Sequence, residues 1–174
     1  MRFVGLLRGI NVGSAARIAM PDLKRACESV GLSNVRTLLQ SGNVVFDADE
    51  APDARMVEDA IHTVTGVRAP LLVVSAARFR EIAAANPLLD VVDDPSRALI
   101  DFLDAPVEAS SVDRPSDADL APERLVFGEH AIYQWCPDGI SRSKLPARFF
   151  ARLGVTSTGR NLRTVDRLLG MLDE

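Results

Sequence analysis

Short apolar runs alternate with amphipathic stretches over the first 86 residues, and a glycine or proline marks nearly every join. That alternation limits the possible folds more than any other feature of the chain. Residues 2–8 carry Phe3, Val4, Leu6 and Leu7 in one short run, the length and content of a buried strand. After a glycine-bearing loop, Pro21 suits the first turn of a helix. Leu23, Ala26, Cys27 and Val30 then repeat at helical spacing, and Gly31 supplies a left-handed stop. Residues 35–40 and 44–46 read as two strands of a hairpin about Ser41-Gly42-Asn43. Pro52 opens a second helix with Met56, Val57, Ala60, Ile61 and Val64, closed by Gly66. Residues 70–74 form a fourth strand, and Ser75 caps a third helix that carries Phe79 and Ile82 and ends at Asn86-Pro87. Strand, helix, strand, strand, helix, strand is the split βαβ order of a ferredoxin-like lobe, an antiparallel sheet with helices on one face.

The second half repeats this order loosely. An acidic stretch, "NPLLDVVDDPSR", reads as a connection, and residues 98–103 form a strand. "SSVDRPSDAD" holds a short helix or none. Residues 124–127 and 131–136 make a hairpin about Gly128-Glu129-His130. Pro146 starts a short helix with Phe149, Phe150 and Leu153, Gly154 ends it, and residues 161–172 form the last helix. The expected class is therefore α+β with two ferredoxin-like lobes: an N-terminal lobe (1–86), an acidic connection (87–97) and a C-terminal α+β lobe (98–174) ending in an arginine-rich amphipathic helix.

Composition excludes several functions. Of 174 residues, 47% are hydrophobic and 25% charged, the balance of a soluble globular protein. The opening apolar run meets Arg8 too soon for a secretory h-region, and no run approaches the ~20 residues of a membrane span. Cys27 and Cys136 stand far apart in apolar patterns, as buried free thiols of a reducing cytoplasm do. A cytoplasmic protein is expected. There is no Gly-x-Ser-x-Gly elbow, no Cys-x-x-Cys, no Walker loop and no Rossmann fingerprint. His62 and His130 are the only histidines and no cysteines cluster, so no zinc site is expected; no cofactor is expected either. Asp93-Asp94, Asp117 and Asp119 sit in loop-like polar sequence and read as solvation. The charge of −4 is unevenly placed: residues 81–123 hold eleven acidic side chains against Arg97 and Arg114, while residues 140–174 hold seven basic against three acidic. Such asymmetry steers anions toward one end of a molecule.

Three polar constellations could carry chemistry. Arg8 ends the first strand, and Asn11 and Gly13 follow in the loop; an arginine there needs a carboxylate or a ligand, and the glycines could bring N–H groups to an anion. The competing reading is a structural turn. Ser41 and Asn43 belong to the second, a turn whose chemistry explains them without function. The first and third strands read as parallel neighbours, which puts the Arg8 loop and the Asn43 turn at opposite ends of the sheet. The third is "SRSKL" with "TSTGRNLRTVDRLL". On the last helix Leu162, Val165, Leu169 and Leu172 form a stripe opposite Arg160, Arg163 and Arg167, and Thr158 is a candidate cap. Lys144, Arg160, Asn161 and Thr164 thus flank two helix starts, where anions bind. Lys144 and Lys24 are the only lysines.

"LLRGINVGS", "MPDLKRACESVGLSNVRTLLQSGNVVF", the "NPL" at 86–88 and "SRSKL…TSTGRNLRTV", in this order, resemble the domain-of-unknown-function family DUF1697, a group of uncharacterised bacterial proteins. The resemblance covers nearly the whole chain and implies two ferredoxin-like lobes. It implies no activity and no catalytic residue, because the family has none established. Ser14 departs from a second glycine usual in the family, and Leu162 from a bulkier residue. The expected function is binding of a small phosphate- or carboxylate-bearing ligand between the lobes, through Arg8, Asn11, Gly13, Lys144, Arg160 and Asn161, with Ser41, Asn43 and Thr164 as further polar contacts. The alternatives are an RNA-binding module, disfavoured by 5% aromatic content and negative charge, and a structural or interaction protein without a ligand.

Overall fold

A computed structural model describes residues 1–13 and 16–174. The chain divides into two compact units, Met1–Arg80 with Leu168–Glu174, and Glu81–Arg167. In the first, β1 (Arg2–Leu7), α1 (Met20–Ser29), β2 (Ser33–Leu38), β3 (Asn43–Asp47), α2 (Ala54–Thr65) and β4 (Leu71–Ser75) follow one another, and α3 starts at Ala76 and runs to Ala84. The sheet order is β2-β3-β1-β4. All neighbours are antiparallel, including β1 and β3, with Leu6 opposite Asn43 and Arg2 opposite Asp47.

This corrects the expectation that β1 and β3 run parallel. The helical crossover through α1 leaves β2 parallel to β1, and the hairpin then reverses β3. The end of β1 therefore lies beside the start of β3. The hairpin is also shifted toward the N-terminus and longer in its loop than the sequence suggests: β2 stops at Leu38, residues 39–42 form the loop, and Asn43 is a strand residue with no solvent exposure.

Helices α1 and α2 cover the face that carries Phe3, Leu7, Val44, Phe46 and Leu71, burying Leu23, Ala26, Cys27, Val57 and Ile61 against it. Phe3 and Phe46, paired in register, stack at 5.7 Å. Asp53 caps α2 by accepting from Arg55 N at 2.9 Å, and Gly66 closes it at φ 74° with its N–H on the His62 carbonyl. Three arginines of this unit hold the last turn of the C-terminal helix. Arg2 and Arg80 donate to the Leu172 carbonyl at 3.1 and 3.2 Å, and Arg36 donates to the Met171 carbonyl and to Glu174. Cations belong there, where helix carbonyls lack intrahelical partners. Arg2 also bonds Asp47 at 3.0 Å, which, with an Asn34 amide, holds that carboxyl below its usual range.

The second unit contains β5 (Ala98–Leu103), the single turn α4 (Asp117–Leu120), β6 (Arg124–Phe127), β7 (Ala131–Trp135) and β8 (Ser157–Asn161), followed by the start of α5 (Leu162–Asp173). Its sheet order, β6-β7-β5-β8, matches the first lobe strand for strand. The fold is two ferredoxin-like α+β lobes. The second lobe reduces its helices: α4 is one turn capped by Ser116, and the segment after Pro146 forms only a short 3-10 turn at Phe150–Arg152. Leu103, Leu120, Leu125, Ile132, Phe149 and Leu153 make its core on that face. Strand β8 corrects the reading of "STGRN" as the lead-in to a helix. Paired to β5 (Ile100 opposite Arg160), it places Thr158 and Arg160 in a sheet, and α5 starts only at Leu162. Its buried stripe is Leu162, Val165, Leu168 and Leu172, with Leu168 in place of Leu169.

Cys27 and Cys136 are both buried and free, and burial, aided by Glu28 and Glu123 respectively, pushes each thiol up to about 12. The thiolate is the reactive form. Neither cysteine should therefore react with iodoacetamide at pH 8 in the folded protein, and both should react once it is unfolded, as intact-mass measurement would show. Modification of the native protein would contradict this packing. Among the described residues, no helix is long and apolar enough to cross a membrane.

Candidate functional site

The first and third strands, being antiparallel, bring "LLRGINVGS" and "QSGNVVF" together at one end of the N-terminal sheet. Leu7 N donates to the Gly42 carbonyl at 2.8 Å, continuing the ladder beyond the strands. Gly42, at φ 78°, is packed so closely that a Cβ on it would lie 2.7 Å from Leu7 Cβ and 2.8 Å from Ile10 Cδ1. Asn11 fastens the two loops. Its Oδ1 accepts from Ile18 N at 3.0 Å, and its Nδ2 donates to the Ile18 carbonyl at 3.0 Å and the Gln40 carbonyl at 2.7 Å. Asn43 lies beneath, its amide donating to the Leu38 carbonyl and to Ser41 Oγ, both at 2.9 Å. Ser41 is exposed and Asn43 fully buried.

The backbone of the first loop alternates in handedness. Gly9, Asn11 and Gly13 have φ of 70°, 54° and 58°, whereas Ile10 and Val12 between them do not take positive φ. Alternation of φ sign is also a feature of anion-binding nests, in which successive N–H groups turn toward one side. Of these five residues only Asn11 uses its N–H in a hydrogen bond among the described residues, to the Ala16 carbonyl. Among the described residues nothing stands within 4 Å of where a Cβ would be on Gly9 or Gly13, so the glycines serve the left-handed backbone. Arg8 enters this loop half-buried, its N–H on the Pro70 carbonyl. Among the described residues its guanidinium has no hydrogen-bond or ion-pair partner, in contrast to Arg2, Arg36 and Arg80. Ser14 lies outside the described residues.

Arg8, Asn11, Gly13, Ser41 and Asn43 are thus assembled in one place. The other sequence-selected residues sit in or at the edge of the second unit, each with its own partners. Asn161, at the end of β8, caps α5 by accepting from Thr164 N and Thr164 Oγ1, both at 3.0 Å, the role the sequence reading gives to Thr158. Arg160 is buried and donates to Thr158 Oγ1 and the Gly159 carbonyl, both at 2.8 Å; burial draws its guanidinium down to about 10, against the pull of Asp101, so it is still charged at neutral pH. Lys144 Nζ donates to the Asp119 carbonyl at 3.3 Å and to the Ala121 carbonyl, at the end of α4.

Two residues escape the sequence reading. Glu123, 7% exposed, accepts from Ser143 Oγ at 2.7 Å, Lys144 N at 2.5 Å and Gln134 Nε2 at 3.4 Å. It organises the "SRSK" segment that in the sequence resembles a helix start for an anion. Leu39 holds φ 58° with its side chain 47% exposed. Nothing in the spacing of either residue marks it: Glu123 owes its role to partners 11 to 21 residues further on, and Leu39 owes its exposure to a left-handed backbone that its sequence neighbourhood does not announce.

No curated protein matches the chain. In the solved structures it is similar to the conserved bacterial protein SP0830 from Streptococcus pneumoniae, at 26% identity and a TM-score of 0.65, over 98% of each chain. Residues 1–133, which carry the whole Arg8–Asn43 loop pair, match the family model described as "Protein of unknown function (DUF1697)", and the chain belongs to that family.

Proposed function

We propose that this protein binds a small phosphate- or carboxylate-bearing molecule at the paired loops of the N-terminal lobe. Arg8 supplies the charge, the N–H groups of Gly9, Ile10, Val12 and Gly13 supply the cradle, and exposed Ser41 is a further polar contact. The observation that carries the reading is Arg8, a half-buried residue whose guanidinium has no partner among the described residues, at the start of a loop of alternating handedness. A half-buried charge costs stability unless something compensates it, and an anion held by guanidinium and backbone N–H groups would do so. Asn11 and Asn43 act behind the site. Their amides are spent on carbonyls and on Ser41, which fixes the loops in place. Lys144, Arg160, Asn161 and Thr164 are hydrogen-bonded within their own surroundings and are left out of this site.

RNA binding through a sheet face is the weaker reading. Ferredoxin-like RNA binders stack bases on exposed sheet aromatics, but Phe3 and Phe46 are 2% and 0% exposed, and Phe102 and Tyr133 are buried as well.

A thermal-shift series with inorganic phosphate, citrate and nucleoside monophosphates tests the proposal. A ligand at about 100 times its Kd adds ~2.7 kcal/mol, a rise of roughly 5–11 °C for a chain of this size. Arg8→Ala should remove the rise and leave the melting point of the free protein unchanged or slightly higher. If no anion shifts the wild type, or Arg8→Ala shifts as well as the wild type does, the site is not there.

A further inference from the structure

We infer that the anion is carried on an apolar or heteroaromatic body, as in a nucleoside monophosphate, and that this body lies against Val12 and Leu39. The inference rests on the anion site proposed above and names its ligand class. Val12 is 68% exposed and Leu39 47% exposed. Val12 follows Asn11 and Leu39 precedes Gln40, so the 2.7 Å hydrogen bond from Asn11 to the Gln40 carbonyl places both at the same end of the sheet as Arg8. A scattered surface aliphatic needs no explanation. Leu39 differs because its backbone is left-handed at φ 58°, where glycine or asparagine sits without penalty and a branched-chain residue does not. A loop selected only for its turn would carry asparagine there. Backbone strain that exposes an apolar side chain at the same end of the sheet as a cation with no partner among the described residues is the pattern of a binding surface. The chemistry divides cleanly: guanidinium and N–H groups take the phosphate oxygens, and two aliphatic side chains take the face of a ring.

Isothermal titration of the whole chain with inorganic phosphate, with adenosine monophosphate and with a short single-stranded RNA, at two salt concentrations, tests this. Adenosine monophosphate should bind about tenfold or more tighter than phosphate, the usual discrimination from a few apolar contacts. Val12→Ser with Leu39→Asn should bring adenosine monophosphate down to the level of phosphate without weakening phosphate itself. Asparagine accepts the left-handed backbone, so this variant keeps its fold, and an equal or higher melting temperature verifies that. Arg8→Ala should weaken both ligands. If phosphate binds in an Arg8-dependent way and adenosine monophosphate is no tighter, the ligand class is wrong while the anion site stands. If neither small molecule binds, the anion site fails and this inference with it. Binding of RNA alone, lost at the higher salt, would also overturn it.

Discussion

Gly42→Ala is expected to cost about 3 kcal/mol of stability, made up of ~1 kcal/mol or more for an L-residue in the left-handed region and ~1–3 kcal/mol for overpacking. In a chain of this length that lowers the melting temperature by roughly 6–12 °C. The second contribution arises because the new methyl would meet Leu7 Cβ at 2.7 Å and Ile10 Cδ1 at 2.8 Å. Isoleucine can turn its terminal methyl away. Leu7 Cβ is fixed to a strand whose N–H already bonds the Gly42 carbonyl, so the loops must part. Gly9→Ala is the matched control. Gly9 has a similar φ of 70° but open space around it, so only the backbone penalty applies, about 1 kcal/mol. Urea unfolding of the two variants separates conformational from steric cost. Equal losses would mean that the Arg8 and Asn43 loops are not packed together as described. The same experiment bears on ligand binding, since Asn11 cannot reach the Gln40 carbonyl across parted loops.

How much of this is legible in the sequence depends on how local each determinant is. The order of the first lobe follows from apolar periodicity and from Pro21, Gly31 and Gly66, all of which act on their immediate neighbours. The relative direction of β1 and β3 is a matter of topology, and the pairing of Leu6 with Asn43 replaces the parallel arrangement that the sequence suggests. A parallel pair would separate two loops that in fact share hydrogen bonds, and so would hide the strongest candidate site. Strand β8 is not visible because "STGRN" is rich in small polar residues with weak strand signals, and only its pairing with Leu99–Leu103 defines it. Arg8 and Asn11 stand out by their chemistry at a strand end. Leu39 does not, since a leucine in a turn looks like any other leucine until its φ is known.

Glu123→Ala should produce the other large loss, about 3 kcal/mol, because it removes the shared acceptor of buried and part-buried donors. Ser143 Oγ at 2.7 Å, Lys144 N at 2.5 Å and Gln134 Nε2 at 3.4 Å all point at the carboxylate. Without it the Lys144 N–H is orphaned and the segment that follows β7 loses its tie to the start of β6. Glu123→Gln keeps the shape and one acceptor oxygen, but turns an NH2 group toward the Ser143 hydroxyl, so about 1–2 kcal/mol is expected. Ser143→Ala should cost least, since Gln134 still reaches Glu123. Losses that fall in the order Glu123→Ala, then Glu123→Gln, then Ser143→Ala, read by urea unfolding, distinguish a structural knot from a reactive dyad. The bonding already argues for the knot. Ser143 Oγ donates its proton to Glu123 while accepting from Gln134 Nε2 at 2.9 Å and from Leu145 N at 3.2 Å. Both lone pairs are engaged, leaving none to attack a substrate. The serine and lysine that look most like chemistry in "SRSK" are thus occupied in holding the loop. Arg8, at a strand end of the other lobe, has no such occupation among the described residues, which is why the proposed anion site is built on it.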